Sequence, residues 1–185
     1  MFTSQSGNYA VGDVVGGSQV KTVHIHASPS PLAKLYDRFR TSTADSPYVA
    51  QIAEQLQHYC NVATDGDVRG LEEKLKASNR EDQLRKAALF KERAAKLIMR
   101  WQTSGVAQDI ITIVLSTIYS NFLLEVTPAI EAGKSREEVD SIINEKVITP
   151  VLHLLGDNDL GVTTVDLLGM LYFLGGNCHV RWDKC

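Results

Sequence analysis

The sequence has too few cysteines to form a disulfide framework. Its 185 residues include only Cys60, Cys178 and Cys185, which lie far apart along the chain and cannot all pair within it. The opening residues, MFTSQSG, also lack the positive and apolar regions of a secretory signal. We therefore expect reduced thiols in a cytoplasmic protein, whose length suffices for one domain that buries its own core.

A strong excess of one charge is also missing. The chain has 19 Lys and Arg against 22 Asp and Glu, a formal net charge of −3, which gives no global attraction to nucleic acid or to an anionic membrane. Locally, basic residues dominate from Arg69 to Arg100 and acidic ones from Asp109 to Asp159. Such runs are usually solvated helix faces, but they could also bind an oppositely charged subunit or nucleic acid. The candidate nucleic-acid contacts are Arg80, Arg85, Lys86, Arg93, Lys96 and Arg100.

Recognisable catalytic, cofactor and metal motifs are missing too. Neither Gly16-Gly17 nor Gly175-Gly176 belongs to a phosphate-binding GxxxxGK[ST] or GxGxxG pattern. No CxxC or HxxxH spacing predicts a zinc site. We therefore predict no catalytic residue, no cofactor and no metal, and expect a protein that is not an enzyme. If the chain has an active site of an unrecognised kind, Cys178 and His179 are its candidate residues.

The longest apolar stretch, from Val106 to Val126, predicts the core helix. Its Ile, Val, Leu and Phe side chains leave little room for a polar face, so other helices must cover most of its sides. About twenty residues without Gly or Pro is too long for an ordinary strand. Polar residues such as Asp109 and Asn121 interrupt the stretch, so we do not expect a membrane span. Pro128 is expected to kink or end this helix.

The residues around this helix predict a mainly α-helical, bundle-like domain of about seven helices over residues 29–185. Apolar residues recur at helical spacing, and start signals mark the helix beginnings. The predicted starts are Ser30-Pro31, Asp45 or Ser46, Asp67, Asn79, the capping box Ser135-Arg-Glu-Glu138, and Thr163 or Thr164. The first helix should end near Thr41, and Pro150 should interrupt the one that begins at Ser135. Leu89 is expected on the buried side of the helix from Arg80 to Thr103.

Residues 1–28 differ from the rest because they are rich in glycine and in β-forming residues. They predict short strands joined by glycine turns. Such strands cannot bury their own side chains, so they are either a loose tail or a device that pairs with the same strands of neighbouring subunits. We favour the second reading, a β-strand oligomerisation segment. Its candidate contacts are Val11, Val14, Val15, Val20, Val23 and Ile25.

The closing stretch LLGMLYFLGGNCHVRW, residues 167–182, resembles the end of the C-terminal domains of bacterial ABC-three-component systems. The stretch PLAKLYDRF, residues 31–39, is similar to the start of that domain. The resemblance thus spans about residues 30 to 183. It implies a helical domain of a conflict system that acts against phage and plasmids, in which an ABC-type ATPase and a small middle component join an effector protein.

The resemblance implies an adaptor that couples an effector to its partners. The chain departs from that pattern because nothing before residue 28 is large enough to be a nuclease or protease. The expected role is therefore a non-enzymatic adaptor or assembly subunit. Its expected partners are the ATPase, the middle component and further copies of itself. A nucleic-acid-binding regulator is the alternative. His179, Arg181 and Trp182 either form a partner-docking surface, where Trp and Arg are common anchors, or fold back on the helical core.

Overall fold

The computed structural model describes residues 32–41, 54–64 and 69–184, and within these ranges the chain forms seven helices and no strand. The helices are α1 (Ala33–Thr41), α2 (Glu54–Cys60), α3 (Leu71–Ala77), α4 (Leu84–Arg100, after a 3-10 turn at Glu81–Gln83), α5 (Gly105–Glu131), α6 (residues 136–155) and α7 (Thr164–Gly176). The mainly helical prediction is confirmed. The β-strand oligomerisation segment, residues 1–28, lies outside the described residues.

Helix α5 is the core helix that the apolar stretch predicts. The hydroxyl of Ser104 caps its first turn, and Ile110, Leu115, Ile118 and Phe122 have no or almost no exposed surface. Helices α1, α2 and α7 pack against it. By length and composition α5 is apolar enough to cross a membrane, but the core helix of a soluble protein meets the same criterion.

Pro128 does not end α5, which excludes one of the two predicted outcomes, because a π-helical segment precedes it. Phe122–Val126 adopts wider π-helical turns, and the α-helix continues through Thr127–Glu131 with the proline in its first turn. Helix α6 repeats the arrangement, with a π segment at Ile143–Ile148 before Thr149-Pro150. A shift in the hydrogen-bond register accommodates a residue that lacks an N–H group. Both helices therefore remain continuous across their prolines.

Helices α4 and α7 form the most extensive pair in the described part of the chain. Ala87, Ala94 and Ile98 of α4 are buried against α7, and Gly169 of α7 lies directly on the α4 backbone at Phe90. Leu89 lies on the opposite side of α4 and is 61% exposed. Its predicted burial is therefore wrong.

The predicted capping box at Ser135 and the predicted cap at Thr163 are confirmed, while two other helix starts differ from the predictions. Ser135 and Glu138 cap α6, and Thr163 and Asp166 cap α7, with reciprocal bonds between side chain and backbone. Asn79 is not a cap, since its positive φ of 54° places it in a turn. Helix α3 begins at Leu71 after an N-cap at Gly70, and the predicted cap Asp67 lies outside the described residues.

Candidate partner-binding surfaces and the C-terminal segment

The C-terminal segment, residues 177–184, folds back on the helices through Trp182. The indole is only 5% exposed, and its ring centroid lies 5.7 Å from those of Phe122 and Tyr172. Gly175 leaves room for it, because a Cβ there would come within 2.6 Å of the indole. Trp182 is thus a core residue, in agreement with the second of the two alternatives, in which it folds back on the helical core.

A buried lysine of α3 binds the same segment through hydrogen bonds to backbone carbonyl oxygens. Lys74 of α3 is 1% exposed, and its Nζ donates to the carbonyl oxygens of Gly175 at 2.9 Å and Val180 at 3.2 Å. The end of α7 thereby gains a charged donor for a carbonyl of its last turn, which also accepts from the Cys178 N–H at 3.3 Å. Sequence reasoning missed Lys74, although it lies between Leu71 and Leu75 on the apolar side of a short helix.

Further polar contacts tie the segment to α2 and to the residues before α3. Arg69 bonds the Asp183 carboxylate at 2.5 Å, and the Asn177 amide donates to the Tyr59 and Cys60 carbonyl oxygens. The Cys178 thiol lies 3.5 Å from the Arg69 carbonyl oxygen. The segment is therefore an integral part of the fold.

His179 lies in an aromatic cluster with His58, Tyr59 and Tyr119. Its ring centroid is 5.3 Å from that of His58, 5.7 Å from Tyr59 and 6.0 Å from Tyr119. Its Nε2 is buried and has no hydrogen-bond partner among the described residues. Burial, and secondarily the charge of His58, lowers the pKa of His179 below its ordinary value of 6.5. A neutral imidazole is therefore the form that this cluster favours.

We expect acid to destabilise the fold through His179. A histidine whose pKa is lower in the folded state binds protons more readily when unfolded, so protonation favours unfolding. Stability should be retained above the ordinary pKa of 6.5 and fall as the pH drops toward the lower folded value. Urea midpoints measured across this range should fall, and His179→Phe should flatten the decline. His153→Phe, which removes an exposed histidine of α6, is the matched control; if it flattens the decline equally, the explanation is wrong.

The outer side of α4, here called the basic face, carries five exposed cations. They are Arg85, Lys86, Arg93, Lys96 and Arg100. Arg93 bonds the buried carboxylate of Asp166, and Lys96 pairs with Glu92. Two large apolar side chains lie exposed on the same helix, Leu89 at 61% and Met99 at 62%. The helix thus combines positive charge with apolar area, the composition of many protein interfaces.

Arg80 does not belong to the basic face. Its side chain is 3% exposed and bonds Asp140 at 2.5 Å, so its predicted contact with nucleic acid is wrong for the fold as described. Arg93 belongs to the basic face, but its guanidinium is already paired with the Asp166 carboxylate. Burial disfavours the charged form of Asp166, yet hydrogen bonds from Arg93 and Thr163 hold the pKa of that carboxyl below its usual value.

The C-terminal half of α5 and the first half of α6, here called the acidic face, carry more exposed carboxylates than exposed cations, the latter being Lys134 and Lys146. Its exposed carboxylates are Glu125, Glu131, Glu137, Glu138 and Glu145. Next to Glu125, Leu123 is 41% and Leu124 73% exposed. Each charged face therefore has large apolar residues available for burial by a partner.

Metal ligands are not clustered in the described part of the chain. No group of three or more His, Cys, Asp and Glu side chains there could hold a metal ion. The Cys178 thiol faces the Arg69 carbonyl, and the His179 ring lies among the aromatic rings.

These features define a mainly helical domain with a tightly anchored C-terminal segment. The model of one family, C-terminal domain 9 of the ABC-three component (ABC-3C) systems, matches residues 70–182. The chain belongs to this family, and the resemblance stated from its closing residues is confirmed. The match begins near α3, later than the expected start at residue 30. No curated protein and no solved structure matches the chain.

Proposed function

We propose that this chain is a non-enzymatic adaptor or assembly subunit of an ABC-3C conflict system, acting in the cytoplasm in defence against phage and plasmids. Membership of the family supports a role beside the other components of such a system. The observation that carries the adaptor role is the pair of oppositely charged faces with exposed apolar residues. The ABC-type ATPase and the small middle component are the proposed partners outside the chain itself.

The same pair of faces supports a proposal of self-assembly. The basic face of one copy is complementary in charge to the acidic face of a second copy, and complementary charges steer and orient association. Leu89 and Met99 on one side, and Leu123 and Leu124 on the other, would then lose contact with water. A contact between two different faces is heterologous, so it forms rings or open chains of subunits.

Charge reversal tests this contact. Lys96→Glu with Arg100→Glu, or Glu125→Lys with Glu131→Lys, should lower the solution mass measured by light scattering after size exclusion, because each places like charges across the contact. An equimolar mixture of the two variants should regain the mass of the unaltered protein. The control is Lys34→Glu with Arg38→Glu, which reverses two exposed charges on α1 and should keep the mass unchanged. Failure of the mixture to reassemble would refute this contact.

The segment before α1 is tested separately. The proposal assigns residues 1–28, with Val11, Val14, Val15, Val20, Val23 and Ile25, a strengthening role in assembly. A chain that begins at Ser30 should therefore have a lower solution mass than the full chain. Equal masses would mean that the segment takes no part.

Nucleic-acid binding is the second candidate, because Arg85, Lys86 and Arg100 are exposed together on one helix. Fluorescence anisotropy with duplex DNA distinguishes it, since binding through phosphate contacts falls steeply as salt rises. We favour the protein contact because the exposed residues of α4 include leucine and methionine but no aromatic side chain on which a base could stack.

A further inference from the structure

A pocket of about 400 Å³, here called the α4 pocket, opens on the basic face. Helix α4 supplies most of its lining, including Leu89 and Leu97, and the rest comes from Gly161 before α7 and Asp166 within it. This volume is in the range of binding pockets. Neither the family nor the proposed contact between charged faces assigns the pocket an occupant.

The α4 pocket combines apolar side chains with one positive charge that has no partner in the fold. Arg93 is paired with the Asp166 carboxylate, at 2.5 Å from Nε and 3.3 Å from Nη2, and Lys96 is paired with Glu92 at 2.6 Å. Arg100 also lines the pocket but forms no ion pair within the described part of the chain. The alkyl portions of these long side chains add apolar area to the lining. The occupant that fits is therefore an apolar side chain with a carboxylate beside it.

The acidic face carries a side chain with these properties. Leu124 in the π segment of α5 is 73% exposed, the largest fraction among the exposed large apolar side chains of the described residues. The exposed Glu125 follows it directly. Burial of such a leucine favours association, because its apolar surface leaves water. Leu124 does not line the α4 pocket of its own chain, so a second copy has to supply it.

We propose that Leu124 of one copy inserts into the α4 pocket of a second copy, where Glu125 pairs with Arg100. This inference rests on the proposed contact between the basic and acidic faces and names the side chain that anchors it. The leucine and the pocket lie on different elements of the molecule, so each copy can bind one neighbour on either side. A few buried anchors contribute most of the free energy of such contacts, whereas the surrounding charges steer and orient the two copies.

A double-mutant cycle tests the insertion, with association constants of the full chain taken from light-scattering mass as a function of concentration. Leu124→Ala should weaken association about tenfold and Leu89→Ala several-fold. The double variant should be weakened by clearly less than the product of the two single effects, because both changes remove the same contact. The matched control pairs Leu124→Ala with Met99→Ala, since Met99 is as exposed as Leu89 on the same helix but does not line the pocket. The effects of that pair should multiply.

The outcomes separate this inference from the proposed function on which it rests. If charge reversal lowers the solution mass but Leu124→Ala associates as tightly as the unaltered chain, the charged faces meet without the leucine anchor and the inference alone is overturned. Effects of Leu124→Ala and Leu89→Ala that multiply would overturn it as well. If the unaltered chain is a monomer at every concentration, both the inference and the proposed self-assembly are wrong. Both leucines are exposed, so the variants should fold, and far-UV circular dichroism checks this.

Discussion

Replacing Trp182 by alanine should lower the free energy of unfolding by about 3–5 kcal/mol, the range found for buried Trp or Phe replaced by Ala. The indole is 5% exposed and packs against Phe122 of the core helix and Tyr172 of α7. It occupies the space that a side chain at Gly175 would fill. Its removal leaves a cavity where the C-terminal segment meets both helices. The ion pair between Asp183 and Arg69 should weaken as well, because Asp183 directly follows Trp182 in the chain.

Urea unfolding followed by far-UV circular dichroism measures this loss. Arg181→Ala is the matched control, since it truncates the preceding, only half-buried side chain and should cost less than about 1 kcal/mol. Trp182→Phe should fall between the two, because it keeps part of the buried ring. If Trp182→Ala lowers the free energy of unfolding no more than Arg181→Ala does, the segment contributes little to stability. The alternative that Trp182 belongs to a partner-docking surface would then have to be tested.

Local signals predicted much of the fold. Ser135-Arg-Glu-Glu138 predicts a helix start through a pattern four residues long, and the structure contains both of its bonds. The apolar side chains from Ile110 to Ile118 also predict a buried helix from a local signal, because their burial depends on composition and spacing within one helix. The π segments were missed because a proline ordinarily indicates a helix end. In both places the residues after the π segment are Thr-Pro.

The roles of individual charged residues were harder to predict, because they depend on partners distant in sequence. Arg80 is counted with the basic residues of its helix when only the sequence is read, yet its partner Asp140 lies 60 residues away. Lys74 bonds carbonyl oxygens 101 and 106 residues further on. Spacing along one helix carries no information about such contacts. The exposure of the other α4 cations follows from helical periodicity alone, and their contact with nucleic acid stays a prediction.

Replacing Gly169 by alanine should destabilise the protein although alanine is the better helix former. In an open helix the change would stabilise by up to about 1 kcal/mol. Here the new Cβ would lie 2.3 Å from the Phe90 carbonyl oxygen and 3.1 Å from the Ala94 Cβ. Neither atom can rotate away, because one belongs to the backbone and the other is fixed to it. Helices α4 and α7 must separate, and we expect a net loss of about 2 kcal/mol or more.

The control for this prediction is Gly70→Ala. Gly70 precedes α3 with a φ of −66°, which alanine adopts without strain, and a Cβ there would meet nothing within 4 Å. Its replacement should change the unfolding free energy by less than about 0.5 kcal/mol. Thermal unfolding of both variants by calorimetry makes the comparison. If Gly169→Ala is as stable as Gly70→Ala, the close approach of α4 and α7 is not a feature of the folded protein, and the position of the basic face relative to the C-terminal segment must differ from that described.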